Sequence, residues 1–233
     1  MKRNIIGISL ISIIVIFIVG VLYINIFPEC NNKEKQKETT DASSYILEGK
    51  NIITDSTPSA LIEKAYSDDF ATIVNHSDAV VKGRVKSLEY VPVKGRTWTK
   101  VKFHIDKVIT GNVKSNNDID VYFLGGYITL EDHIKAHDDA YRYEKMSDEE
   151  IKNTVIKETY EGEDEFVKEN EELILCIVKT SDHSPLPKGS YERLGAPGML
   201  KEKDGKYVQL YGAVKEKYSV YKEKLNDIKK LIK

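Results

Sequence analysis

His133-Ile134-Lys135-Ala136-His137 sets two imidazoles four residues apart, with Glu131, Asp132, Asp138 and Asp139 beside them. On a helix, positions i and i+4 share a face. Two imidazoles and a carboxylate are a donor set suited to zinc or another divalent ion, with one coordination position left for water. His133, His137 and Asp138 are therefore the candidate metal ligands. The expected cofactor is none unless a divalent metal sits there. In a zinc-protease helix a glutamate follows the first histidine as general base, and here that position is Ile134. The general base of that motif is absent; a metal-dependent hydrolase or metal-binding protein using His133 and His137 is the alternative reading, and a solvated polar segment is what the same residues make without an ion.

Other reactive constellations are missing. No Gly-x-Ser-x-Gly elbow exists, and Cys176 sits inside the apolar run Leu173-Ile174-Leu175-Cys176-Ile177-Val178, where a cysteine acts as packing. Gly195-Ala196-Pro197-Gly198 reads as a turn and not as a phosphate cradle. The carboxylates from Glu158 to Glu172 offer oxygen ligands, but Glu161-Gly162-Glu163-Asp164-Glu165 lacks the alternating pattern of a calcium loop. No catalytic residue is assigned. Lys100, Lys102 and His104, near Trp98, would suit a strand face that stacks bases. The neighbouring acidic segment would repel a phosphate backbone, so nucleic acid is not an expected partner.

The elements that must position these residues are mostly strands. Val81, Gly83 and Val85 alternate within Ala79 to Tyr90, and the glycine marks a bulge. Thr99, Val101, Phe103 and Ile105 alternate with Lys100, Lys102, His104 and Asp106, the pattern of a half-buried strand. Ile119, Val121 and Phe123 repeat it before Gly125-Gly126. Leu173 to Val178 is apolar on both faces and reads as central, while Met199–Lys203 and Tyr207–Tyr211 form a hairpin through Asp204-Gly205. One core is expected from Val81, Val85, Val101, Phe103, Ile105, Val121, Phe123, Leu173, Leu175 and Ile177.

Asp68 or Asp69 can cap a short helix carrying Phe70, Ile73 and Val74. Residues 127–172 read as an insertion; from Glu131 to Glu172 it has sixteen Asp and Glu against six Lys and Arg, in a chain of net charge -2. Within it, Ser147-Asp148-Glu149-Glu150 fits a capping box opening a helix to about Lys157. Val214, Tyr218, Tyr221, Leu225, Ile228 and Ile232 predict a C-terminal amphipathic helix over residues 214–233, packed on the strands by its apolar stripe.

At the other end, the uncharged run Ile5 to Phe27 would reach ~34 Å as a helix, against about 30 Å of bilayer hydrocarbon. The basic Lys2 and Arg3 before it favour an exported bulk, although Lys33, Lys35 and Lys37 oppose them. The expected organisation is a transmembrane anchor over residues 1–29, a polar linker over 30–58, and one extracytoplasmic domain over 59–233. Cys30 stands where a lipoprotein would be modified, but Phe27-Pro28-Glu29 lacks the small residue that should precede it.

Sequential coiled strands, a bulge glycine and an excursion before a central strand predict a mainly β fold with helices (α+β). Its centre would be an OB-like closed barrel of five to six strands with an acidic helical insertion and a C-terminal amphipathic helix, preceded by one transmembrane helix. Ser77-Asp78-Ala79-Val80-Val81-Lys82-Gly83-Arg84-Val85, Val101-Lys102-Phe103-His104-Ile105-Asp106-Lys107-Val108-Ile109-Thr110-Gly111 and Asn170-Glu171-Glu172-Leu173-Ile174-Leu175 resemble two groups. One is a set of little-characterised exported or membrane-anchored bacterial proteins; the other is the netrin-like, OB-type domain of tissue inhibitors of metalloproteinases. The resemblance implies a fold, and a protease-inhibitor-like module as a further alternative. The amino-terminal cysteine and disulfide framework on which such inhibitors act are not matched. The expected function is a membrane-anchored, non-catalytic binding or interaction module. Its expected partners are the membrane through residues 5–27 and an unknown protein or small ligand.

Overall fold

A computed structural model describes residues 47–56, 69–94, 96–137, 140–159, 166–210 and 216–233. They all fall within one compact unit, Thr40–Lys233. The chain is mostly β. The strands are β1 (Asn51–Ser56), β2 (Ala79–Val93), β3 (Arg96–Gly111), β4 (Asn117–Leu124), β5 (Gly126–Thr129), β6 (Thr154–Thr159), β7 (Glu172–Lys179), β8 (Tyr191–Arg193), β9 (Met199–Lys203), β10 (Lys206–Gln209) and β11 (Ser219–Tyr221). The α-helices that lie wholly within the described residues are short: α1 (Phe70–His76), α2 (Leu130–Ala136) and α3 (Asp148–Lys152).

Eight strands make one sheet in the order β11-β10-β9-β7-β2-β3-β4-β8, and β8 also pairs with β7. Strand β7 explains both facts. One edge pairs with β2 from Glu172 to Ile177. Its other edge is shared, Leu173–Leu175 going to β9 and Ile177–Lys179 to β8. Strands β7, β2, β3, β4 and β8 thereby return on themselves as a ring, while β9 to β11 carry the sheet away from it. The side chains of β7 alternate accordingly. Leu173, Leu175 and Ile177 enter one core, and Ile174 and Cys176 enter another.

All ten residues expected in one core lie in the first of these clusters. The second holds Phe70, Ile73 and Val74 of α1, whose N-cap Asp69 accepts from the Thr72 backbone N–H at 3.1 Å. The bulge at Gly83 is present as a register shift between Lys82 and Gly83. A Cβ there would stand 1.9 Å from the His104 carbonyl oxygen, so only glycine fits against β3. At Asp204-Gly205 both residues have positive φ, 51° and 80°, as the two-residue hairpin between β9 and β10 requires.

Several expectations are corrected. The closed barrel of five to six strands is instead a five-strand ring inside an eight-stranded sheet, because the outer face of β7 is apolar and is covered by its own core. The region 127–172 is not a purely helical excursion, although α2 and α3 lie in it. It supplies β5 and β6, which with β1 build a second sheet in the order β1-β6-β5. The capping box at Ser147 forms, yet α3 stops at Lys152, where the β-branched Thr154-Val155-Ile156 start β6. Asn51–Ser56, at the end of the segment read as linker, is a strand parallel to β6.

The C-terminal amphipathic α-helix is replaced by β11 and a 3-10 segment, Lys222–Leu231, kinked at Lys224. Pairing of Ser219–Tyr221 with β10 holds the chain extended where the helix was to begin. Leu225 and Ile228 still pack inward, on the second core. The membrane expectation is corrected as well. Among the described residues no helix is long and apolar enough to cross a membrane, and the span read at residues 5–27 lies outside them. Nothing among the described residues supports the single-pass, extracytoplasmic placement.

Candidate metal centre

The corner at Gly125-Gly126 decides where the centre forms. Both glycines have positive φ, 97° and 151°, and between them the chain leaves the large sheet as β4 and enters the small one as β5. The Gly125 N–H donates to the Thr97 carbonyl at 2.8 Å, and the Thr99 hydroxyl donates to the Gly125 carbonyl at 2.7 Å. Gly126 in turn faces Glu158 across the β5–β6 pair. Glu158 is thus carried to the start of β3, where the Thr97 backbone N–H donates to its Oε2 at 2.9 Å.

Helix α2 follows β5 directly and is capped by Thr129, whose hydroxyl accepts from the Asp132 N–H at 3.1 Å. His133 lies in this helix, and His137 is its C-cap, its N–H donating to the His133 carbonyl at 2.9 Å. The two rings stack with centroids 4.2 Å apart. Tyr143 meets the His133 ring edge-on at 6.0 Å. His133 Nδ1 is 2.9 Å from Glu158 Oε1, and His137 Nε2 is 3.5 Å from the same oxygen.

His133, His137 and Glu158 therefore form a group whose ligand atoms all lie within 4.8 Å of one another. His133 and Glu158 are buried and His137 is half-buried. Tetrahedral zinc with donors at ~2.0–2.1 Å would hold them about 3.3 Å apart. Glu158 Oε1 would withdraw slightly from His133 Nδ1, and the more exposed His137 ring would turn toward the ion. That ring has a reason to do so, for His137 Nε2 is buried and has no hydrogen-bond partner. Thr97 on Oε2 already supplies the outer hydrogen bond that orients a ligating carboxylate. Burial pushes the Glu158 carboxyl up, but the hydrogen bonds from His133 and Thr97 outweigh it and hold its pKa below the usual range. The group is a carboxylate ready for a cation.

Of the ligands expected from sequence, His133 and His137 come together as the four-residue spacing predicts. Asp138 lies outside the described residues. Glu158 was missed as their partner, since 25 residues of chain separate it from His133. The one local signal is a carboxylate at the inward phase of Thr154, Ile156 and Glu158, all buried.

The remaining candidate surfaces are occupied by ion pairs. Lys102 Nζ is 2.5 Å from Asp120 Oδ1, Lys100 lies between Glu89 and Asp120, and His104 Nδ1 is 2.6 Å from Asp118. Cys176 is free and buried, with its thiol pushed up by desolvation. The chain matches no protein-family description, no curated protein and no solved structure, so no relative bears on the netrin-like resemblance.

Proposed function

We propose that this chain is a binding module whose bound species is a divalent transition-metal ion, held by His133, His137 and Glu158. The observation that carries the reading is the convergence of two imidazoles and a buried carboxylate within 4.8 Å. Imidazole donors favour zinc, cobalt, nickel or copper over calcium and magnesium, which prefer an all-oxygen shell. A binding role is favoured over hydrolysis because the carboxylate beside the imidazoles is itself fixed, one oxygen on Thr97 and the other on His133. It is placed to ligate and not to move a proton to a substrate.

Metal content of the full chain tests this. After loading with zinc and exhaustive dialysis, the wild type should retain about one ion per chain, and Glu158→Gln and His137→Ala should retain far less. Cobalt in place of zinc should give the visible bands of a four-coordinate site. Retention no greater in the wild type than in Glu158→Gln would mean that the three side chains do not form a metal centre.

A further inference from the structure

The far end of the β2–β3 hairpin carries a second feature, independent of the metal centre. A cleft of about 430 Å³ is lined there by Val93, Lys94, Arg96 and Trp98 of the hairpin and, from the chain between β7 and β8, by Ser181, His183, Ser184 and Pro185, with Glu192 of β8. That volume is in the range of small-molecule sites. Arg96 and Trp98 are two residues apart on β3 and share a face, and Val93 stands opposite Arg96. Trp98 is packed behind by Tyr122 and Leu186. The opposing wall is a turn in which the Ser184 N–H donates to the Ser181 carbonyl at 3.0 Å.

Cations without a counter-ion and an apolar wall meet in this cleft. Among the described residues, Lys94 and Arg96 form no ion pair, whereas the one carboxylate of the lining, Glu192, already has an interaction of its own. Two cations ask for an anionic group, while Trp98, Val93 and Pro185 offer apolar surface to whatever carries it.

We propose that this cleft binds a small organic carboxylate with an aromatic or apolar body, the carboxylate held by Arg96 and Lys94 and the body lying against Trp98. The carboxylate could come from a free acid or from the carboxyl end of a peptide, which present the same group. Inorganic anions satisfy only the charges and leave the apolar wall unused.

Trp98 is the single tryptophan of the chain, so its emission reports occupancy directly. The full chain is titrated at constant ionic strength with benzoate, with an N-acetylated dipeptide ending in phenylalanine, with benzamide and with inorganic phosphate. Benzoate or the dipeptide should change the emission saturably, the tighter of the two identifying the source of the carboxylate. Benzamide should have no saturable effect. Arg96→Gln, at an exposed position that leaves the core intact, should weaken the response about tenfold, the loss of one charge-assisted hydrogen bond. The proposal is overturned if neither carboxylate changes the emission, if benzamide or phosphate binds as tightly, or if Arg96→Gln leaves the affinity unchanged.

Discussion

Glu158 and Glu172 show how differently two carboxylates of one chain can be used. Glu158 is closed in by one backbone N–H and two imidazoles, the setting of a carboxylate placed to ligate a cation. Glu172, at the start of β7, accepts from the Tyr207 hydroxyl and lies 3.5 Å from Lys82 Nζ and 3.4 Å from Lys222 Nζ. Burial raises its pKa, but Tyr207 and the two ammonium groups outweigh burial and leave it below the usual range. A carboxyl lowered in the folded state binds its proton more readily when unfolded. Its stabilisation is therefore present above the unfolded value of about 4.3 and lost as pH falls through the folded one. Urea unfolding at neutral pH and below pH ~4 should show Glu172→Gln less stable than the wild type at neutrality, with the difference shrinking in acid. A constant difference would mean that charge at Glu172 contributes nothing. The imidazole pair was legible from its spacing alone, whereas Glu158 and the Tyr207–Glu172 contact depend on strand register, which no local pattern encodes.

At the scale of elements, period-two alternation was enough wherever a strand has one wet face, as in β3 and β4. For β7 the legible signal was the lack of alternation, since a short run apolar on both faces reads as central. Phe103 is fully buried in the ring core, and Lys102 beside it points outward to Asp120. Phe103→Ala should cost ~3–5 kcal/mol through lost burial and a cavity. Lys102→Ala removes a half-exposed ion pair and should cost about 0–1 kcal/mol. Equal losses in urea unfolding would contradict the register. Gly83→Ala should be destabilising beyond ordinary strand propensity, since β3 would have to move from a Cβ placed 1.9 Å from the His104 oxygen. The misread elements are those in which helical spacing competes with strand formers. Ser219-Val220-Tyr221 sits in a 3.6-residue pattern yet pairs as β11, with Tyr218 before it stacked on Phe70 at 4.5 Å. Thr154-Val155-Ile156 cuts short the helix that Ser147 begins. In both places tertiary pairing overrides the local period.

Across the folded unit, the functional reading depends on the glycine corner that sets the small sheet against the start of β3. Helix α2 and its C-cap supply the imidazoles and β6 the carboxylate, so a bound ion ties the end of α2 to β6, while Thr97 ties β6 to the large sheet. Such an ion binds the folded chain and has no preformed site in the unfolded one, so it should add stability by mass action. The most direct measurement is urea unfolding of the full chain with and without zinc. Zinc at a hundredfold excess over its dissociation constant should raise the unfolding free energy of the wild type by about 2.7 kcal/mol. The same zinc should do nothing for Glu158→Gln or His137→Ala. No rise in the wild type, or the same rise in both variants, would contradict a metal centre at His133, His137 and Glu158.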